Sequence, residues 1–132
     1  MNNVALEQGL FDAIFTIAKE TKSDLKVYTA LPPLSVKGLF VVMGEVRELP
    51  MPTKTHVKRK FFTSINVWGD YNQRFDVSNI AQGIFSQCYE IKIGEQVAKL
   101  RKAASTKRII NDTSVENTSL WRGLLELEFD II

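Results

Sequence analysis

The chain has 132 residues, of which 17 are Lys or Arg, 15 are Asp or Glu and 45% are hydrophobic. That balance excludes the disordered and collagen-like classes, and a single Cys excludes an internal disulfide and fits a reducing compartment. The length predicts one domain over 1–132 whose core buries roughly two-thirds of the unfolded chain's surface, while a net charge of +2 is too small to mark a nucleic-acid binder.

Residues 3–20 read as a helix. Leu6, Leu10, Ala13, Ile14 and Ile17 recur at spacings of three and four, with Val4, Phe11, Phe15 and Ala18 as a second stripe beside them. Together the stripes cover about 200° of the helix, more than one sheet contact needs. Two readings follow: a helix deep in the core, or one whose Phe11 and Phe15 face a neighbouring subunit. Residues 21–35 carry Lys22, Asp24, Lys26, Pro32 and Pro33 and read as a loop with a short extended piece at Val27–Tyr28.

Residues 38–48 form an apolar, β-branched run that predicts a strand, ended by Pro50 and Pro52, which cannot donate to a sheet ladder. The next strand, 56–68, places Val57, Phe61, Ile65 and Val67 on one face. Lys58, Lys60, Ser64 and Asn66 fall on the other, interrupted by Phe62 and Trp68. The two strands are expected to form an antiparallel hairpin. Asp70 and Gln73 have the spacing of a capping box ahead of a helix over 71–88, which buries Val77, Ile80, Ala81, Ile84, Phe85 and Cys88. Cys88 on that stripe is read as a small core residue rather than a nucleophile.

Residues 90–105 carry the weakest pattern, with Ile91 and Ile93 fitting a short strand. A strand over 107–112 and a turn over 113–118 follow. The last strand, 120–132, alternates most cleanly: Trp121, Leu125, Leu127, Phe129 and Ile131 against Arg122, Glu126, Glu128 and Asp130. The expected fold is α+β, in the order α-β-β-α-β-β with one further short strand. It has a mainly antiparallel sheet of four or more strands and two helices on one face.

Candidate chemistry is sparse. The one His, His56, has no Cys or acidic neighbour at ligand spacing, so no metal site is expected. Glu126 and Glu128 share a strand face, but one that looks solvated, and no Gly-rich phosphate loop occurs. Neither a catalytic nor a cofactor site is expected. The first residues lack the basic-then-apolar order of a secretory signal, and no apolar run approaches the roughly 18 residues of a membrane span.

Charge is unevenly distributed. Lys54, Lys58, Arg59 and Lys60 form one basic cluster. Lys99, Arg101, Lys102, Lys107 and Arg108 form a second, and the terminal strand is acidic. These patterns fit ion pairs across strands or between subunits, a solvated face, or electrostatic contact with nucleic acid.

Three stretches carry a resemblance to a known family. The first is Lys26-Val27-Tyr28-Thr29-Ala30-Leu31-Pro32-Pro33 followed by Phe40-Val41-Val42-Met43-Gly44-Glu45. The second is Ile65-Asn66-Val67-Trp68-Gly69 leading to Ile80-Ala81-Gln82-Gly83-Ile84. The third is Ile110-Asn111-Asp112 with Trp121-Arg122-Gly123-Leu124-Leu125-Glu126-Leu127. With their order along the chain, these resemble the tail completion, or tail terminator, proteins of long-tailed bacteriophages. The chain departs from that pattern at Gly38-Leu39, where a proline often precedes the strand, and in the basic stretch 99–108.

The resemblance implies a non-enzymatic virion protein, without cofactor, metal or membrane contact, assembled in the host cytoplasm into a ring of six subunits. The ring would cap the completed tail tube, meet the head-completion proteins on its other face and let DNA pass through its channel without specific binding. A heterologous ring needs two different complementary patches. The expected contributors to subunit or partner contacts are Phe11, Phe15, Lys54, Lys58, Arg59, Lys60, Arg101, Lys102, Glu126, Glu128 and Asp130. The alternatives are a small nucleic-acid-binding module that uses the basic clusters and, more remotely, a small-molecule-binding or regulatory domain.

Overall fold

The computed structural model describes residues 5–30, 37–51, 59–114 and 118–132. In chain order the elements are helix α1 (Leu6–Glu20), strands β1 (Lys26–Tyr28), β2 (Phe40–Leu49) and β3 (Arg59–Gly69), and helix α2 (Arg74–Gln87). Strands β4 (Glu90–Ile93) and β5 (Gln96–Leu100) follow, then a 3-10 turn over Lys102–Ala104, β6 (Thr106–Asp112) and β7 (Leu120–Ile131). The strands form one sheet in the order β1-β2-β3-β7-β5-β4, with β6 also paired to β7.

The fold is α+β, as expected, and the hairpin of β2 and β3 is present. Two features of the expected architecture need correction. The sheet is mixed rather than wholly antiparallel, because β1 runs parallel to β2. The element order is also richer, with β1 ahead of the hairpin and both β4 and β5 after α2. These three strands have only three to five residues each, too few turns of the pleat for alternation to show.

Strand β7 is the spine. One edge pairs with β3 over eleven residues, from Arg59 opposite Ile131 to Gly69 opposite Trp121. The other edge is shared: β6 covers Leu120 to Glu126 and β5 covers Phe129 to Ile131. Between them the chain bulges through the 3-10 turn, and the ladder is bridged there by two bonds. The Arg101 N–H donates to the Glu128 carbonyl at 2.8 Å, and the Glu128 N–H donates to Ser105 Oγ at 3.1 Å. This interrupted edge strand accounts for the weak pattern of residues 90–105.

Period-2 alternation decides which side chains are buried. Phe61, Ile65, Val67, Leu125, Leu127, Phe129 and Ile131 are sealed from solvent on one face, with Val41 and Met43 of β2. The α1 stripe Leu10, Ile14 and Ala18 and the α2 stripe Val77, Ile80, Ala81 and Ile84 fill the same core. Thr63 is the one buried polar residue of this face among the described residues. A bulge between Met43 and Val46 turns the Glu45 carbonyl toward it, and the Thr63 hydroxyl donates there at 2.9 Å.

Helix α2 lies on β7 and β3, whereas α1 contacts both β2 and β4, which stand far apart in the strand order. The sheet therefore curls around the helices. Gly9 of α1 packs directly on Ile93 of β4, and Gly123 of β7 admits α2, since a Cβ there would sit 3.2 Å from both Ala81 and Val77. Phe11 and Phe15 are half-buried and rest against the core rather than standing free. Cys88 is buried, and its burial pushes the thiol up to about 12, as befits a core residue.

The capping box is half realised. Gln73 Oε1 accepts from the Asp70 N–H at 2.8 Å, but the Asp70 carboxylate turns away and accepts from the Gly38 N–H at 3.3 Å. The helix starts at Arg74 rather than 71 as a result.

Gly123→Val would force a branched side chain into the α2–β7 contact. A loss of about 1–3 kcal/mol is expected, read as a lower urea midpoint with an unchanged slope.

Candidate functional site

The sheet's second face carries no helix among the described residues, and its side chains fall into transverse rows fixed by register. The row at one end reads Lys26, Phe40, Trp68, Arg122 and Ile110. The row at the other end brings together Leu49, Lys60, Asp130 and Lys99. Between them lie Gly44, Ser64, Asn66 and Thr106, and the row of Arg47, Phe62 and Glu128.

The second of these ends is an ionic cluster. Lys60 Nζ lies 2.7 Å from Asp130 and 3.3 Å from Glu128, with the three side chains only 15–19% exposed. Arg101 adds contacts at 3.7 and 3.8 Å to the same two carboxylates. Glu126, one row in, accepts from the Thr106 hydroxyl at 3.2 Å. Nearby, Arg59 holds Glu48 through two bonds of 2.8 Å, which keep the Glu48 carboxyl below the ordinary range and raise the Arg59 guanidinium. Both partners of that pair are more than 40% exposed, so it adds little stability. Lys102 sits over the Tyr89 ring at 4.2 Å.

Of the expected contact residues, then, Lys60, Arg101, Glu128 and Asp130 come together in one chain. Phe11 and Phe15 lie apart on α1, and Lys54 and Lys58 lie outside the described residues, as does His56. The sign pattern of the sequence forms cross-strand ion pairs within the subunit. This removes free charge from the part of the first basic cluster that is described, since Arg59 and Lys60 each already hold carboxylates.

The opposite end is an aromatic pole. Tyr28 meets Phe40 edge-on at 5.9 Å, Phe40 stacks on Trp68 at 6.4 Å, and the Arg122 guanidinium lies 5.2 Å over the Trp68 ring. On the opposite side of the same strand ends, the Arg74 guanidinium lies 5.1 Å over Trp121. Trp121 Nε1 in turn donates to the Tyr71 carbonyl at 2.7 Å. Each of the chain's two tryptophans thus carries an arginine on one face. Tyr71 and Phe75 complete the pole at 71% and 74% exposure, values at which a large apolar side chain gains little from folding.

Arg122 is fixed in place. It donates from Nε to Asn66 Oδ1 at 2.7 Å and lies 3.8 Å from Asp112. The hydroxyl and N–H of Ser114 both donate to the Asp112 carboxylate, and with Arg122 they hold that carboxyl below its ordinary value against the opposing effect of burial. Lys26, Lys37 and Arg74 make no ion pair among the described residues. Trp, Tyr and Arg are the residues that dominate binding energy at protein interfaces.

Nothing in the expected contact residues pointed to this pole. Its members are spread from Tyr28 to Arg122, and only the register assembles them. The available signal lay in Phe62 and Trp68, aromatic residues on the polar phase of an otherwise alternating strand. Phe62 also carries an arginine, Arg47, at 5.2 Å.

Among the described residues no three His, Cys, Asp or Glu side chains gather as a metal site would, and no helix is long and apolar enough to cross a membrane. A shallow hollow of about 400 Å³ between the helices is lined by Ile17, Glu20, Thr21, Gly83 and Gln87 and holds no convergent reactive groups. Neither a protein-family model nor a curated protein matches this sequence.

Two outcomes follow from these geometries. Lys60→Met should cost about 1–3 kcal/mol, between a surface pair and a fully buried one. A double-mutant cycle with Asp130→Asn in urea denaturation should then return a coupling of about 0.5–3 kcal/mol. Asp112, whose folded value is lowered, contributes stability above its ordinary value of 3.8 and loses it as the pH falls through the folded value. Ser114→Ala should therefore move the acid limb of the stability profile to higher pH.

Proposed function

We propose that this chain is a non-enzymatic structural subunit that works by contact. On this reading it forms a ring, taken as six subunits, that caps a completed phage tail tube and joins the tail to the head-completion proteins. DNA passes through the channel without specific recognition, and the protein belongs to the head-proximal end of the virion tail. The resemblance of the three quoted stretches to tail terminators supplies the identity of the assembly. The observation that carries the reading is the aromatic pole, where two arginine–tryptophan stacks stand beside two side chains more than 70% exposed.

An isolated soluble domain gains nothing from displaying Tyr71 and Phe75, whereas a subunit that buries them on assembly gains roughly 1.5–3 kcal/mol for a Phe side chain. The ionic end supports the same reading from the other side. Arg59, Lys60 and Arg101 are matched by carboxylates within the chain, so the nucleic-acid alternative loses its first basic cluster as far as that is described.

The test combines light scattering with negative-stain imaging, with and without tail tubes. Rings with an open centre, free or seated at one end of the tubes, are the expected result. A protein that stays strictly monomeric and leaves the tubes bare overturns the reading.

A further inference from the structure

The pole and the first half of α1 lie at opposite ends of the molecule. Trp121 and Arg122 begin β7, which rises roughly 35 Å over its length, and the pole surrounds that beginning. At the other end, Ile131 pairs with Ala98 of β5, the β5–β4 hairpin turns back just beyond, and Gly9 of α1 rests on Ile93 beside that turn.

The exposed side of this half-helix carries Glu7 and Asp12, with the half-buried rings of Phe11 and Phe15 next to them. Neither carboxylate has an ion pair among the described residues. The Asp12 carboxylate accepts a 2.8 Å bond from Gln8, its neighbour one turn back. The pole offers the complement: exposed aromatic side chains at Tyr71 and Phe75, with Arg74, Lys26 and Lys37 free of carboxylate partners among the described residues.

We propose that the aromatic pole of one subunit receives the Glu7–Phe15 face of α1 from a second copy, so that subunits join head to tail. This rests on the assembly reading above and names the surfaces it uses. The charges are of opposite sign, both patches present aromatic area, and they occupy opposite ends of the same chain. A heterologous contact needs that arrangement if it is to repeat and close into a ring. A contact of like with like would set the cations of one pole near those of the other and is disfavoured for that reason.

The experiment uses two full-length variants that each lose one patch. In one, Glu7→Lys and Asp12→Lys reverse the helix face at exposed positions. In the other, Tyr71→Ser and Phe75→Ser remove the pole's exposed rings. All four sites are exposed, so both variants should retain the wild-type melting temperature, which is measured first. At the concentration at which the wild type assembles, and on tail tubes if it assembles only there, each variant alone should fail to assemble. The expected weakening is about thirtyfold or more, that of truncating a hot-spot residue.

Mixed in equal amounts, the intact pole of the first variant can seat the intact helix face of the second, while the reverse contact joins lysines to a pole that keeps Arg74. The mixture should therefore give a 1:1 dimer and nothing larger by light scattering. Assembly by either variant alone, or a monomeric mixture under conditions where the wild type assembles, overturns the head-to-tail pairing and leaves the ring reading standing. A wild type that is monomeric throughout overturns both.

Discussion

Strand β7 is hydrogen-bonded along both edges, to β3 on one side and to β6 and β5 on the other, and its two faces do opposite work. Leu125, Leu127, Phe129 and Ile131 are fully buried against the helices, while Glu126, Glu128 and Asp130 alternate with them on the open face. Because the side-chain period is two, slipping the register by a single residue would exchange these sets. It would drive three carboxylates into the core. The register is therefore fixed by the cost of burying charge as much as by apolar burial, and everything positioned by register inherits that precision. The rows of the open face, including Phe40–Trp68–Arg122 and Lys60–Asp130, are consequences of it.

This explains which parts of the fold were legible in the sequence. The alternation of β7 and β3 and the stripes of α1 and α2 extend over ten or more residues, so periodicity carries the information. Strand β1 is three residues long: the extended piece at Val27–Tyr28 was legible, but its parallel pairing with β2 is not a local property. Residues 94–105 were opaque for a different reason: the strand along this edge of β7 is broken by a 3-10 turn and bridged by Ser105, and no alternation survives the break. The capping box at Asp70 was read correctly in spacing, but its carboxylate is claimed by Gly38, 32 residues earlier in the chain. Local motifs lose such contests when a tertiary partner is better placed.

The site was less legible than the fold. Charge signs were visible, and they correctly brought Lys60 and the terminal acids into one account, but sequence left open whether the pairs lay within or between subunits. The answer depends on Lys60 standing opposite Asp130, a register fact. The aromatic pole was hidden more deeply, because its residues come from β1, β2, β3, α2, β7 and the turn after Gly69. Taken singly, Trp121 was expected to be core, and Trp68 only interrupted a polar face. What distinguishes them is the arginine over each ring, and neither arginine is placed by periodicity alone.

The two ends of the sheet thus differ in how far their interactions are completed within one chain. At the ionic end Lys60 and Arg101 meet the carboxylates of Glu128 and Asp130, and Arg59 meets Glu48, so these charges are paired within the chain. At the pole the arginines cover the tryptophans, but Tyr71 and Phe75 remain in water and Arg74 makes no ion pair among the described residues. Burial of apolar area is the main gain on association, and charge complementarity chiefly sets orientation. A chain whose two most exposed aromatic side chains, Tyr71 and Phe75, stand at one end has a direction built into it. Two such ends pressed together would set like charges near one another, whereas in the proposed contact an acidic helix face of the next copy meets both the aromatic area and the cations. For the proposed assembly, directional, repeating contact is the mode that the distribution of these residues fits, and it depends on where the register of β7 leaves the tryptophans.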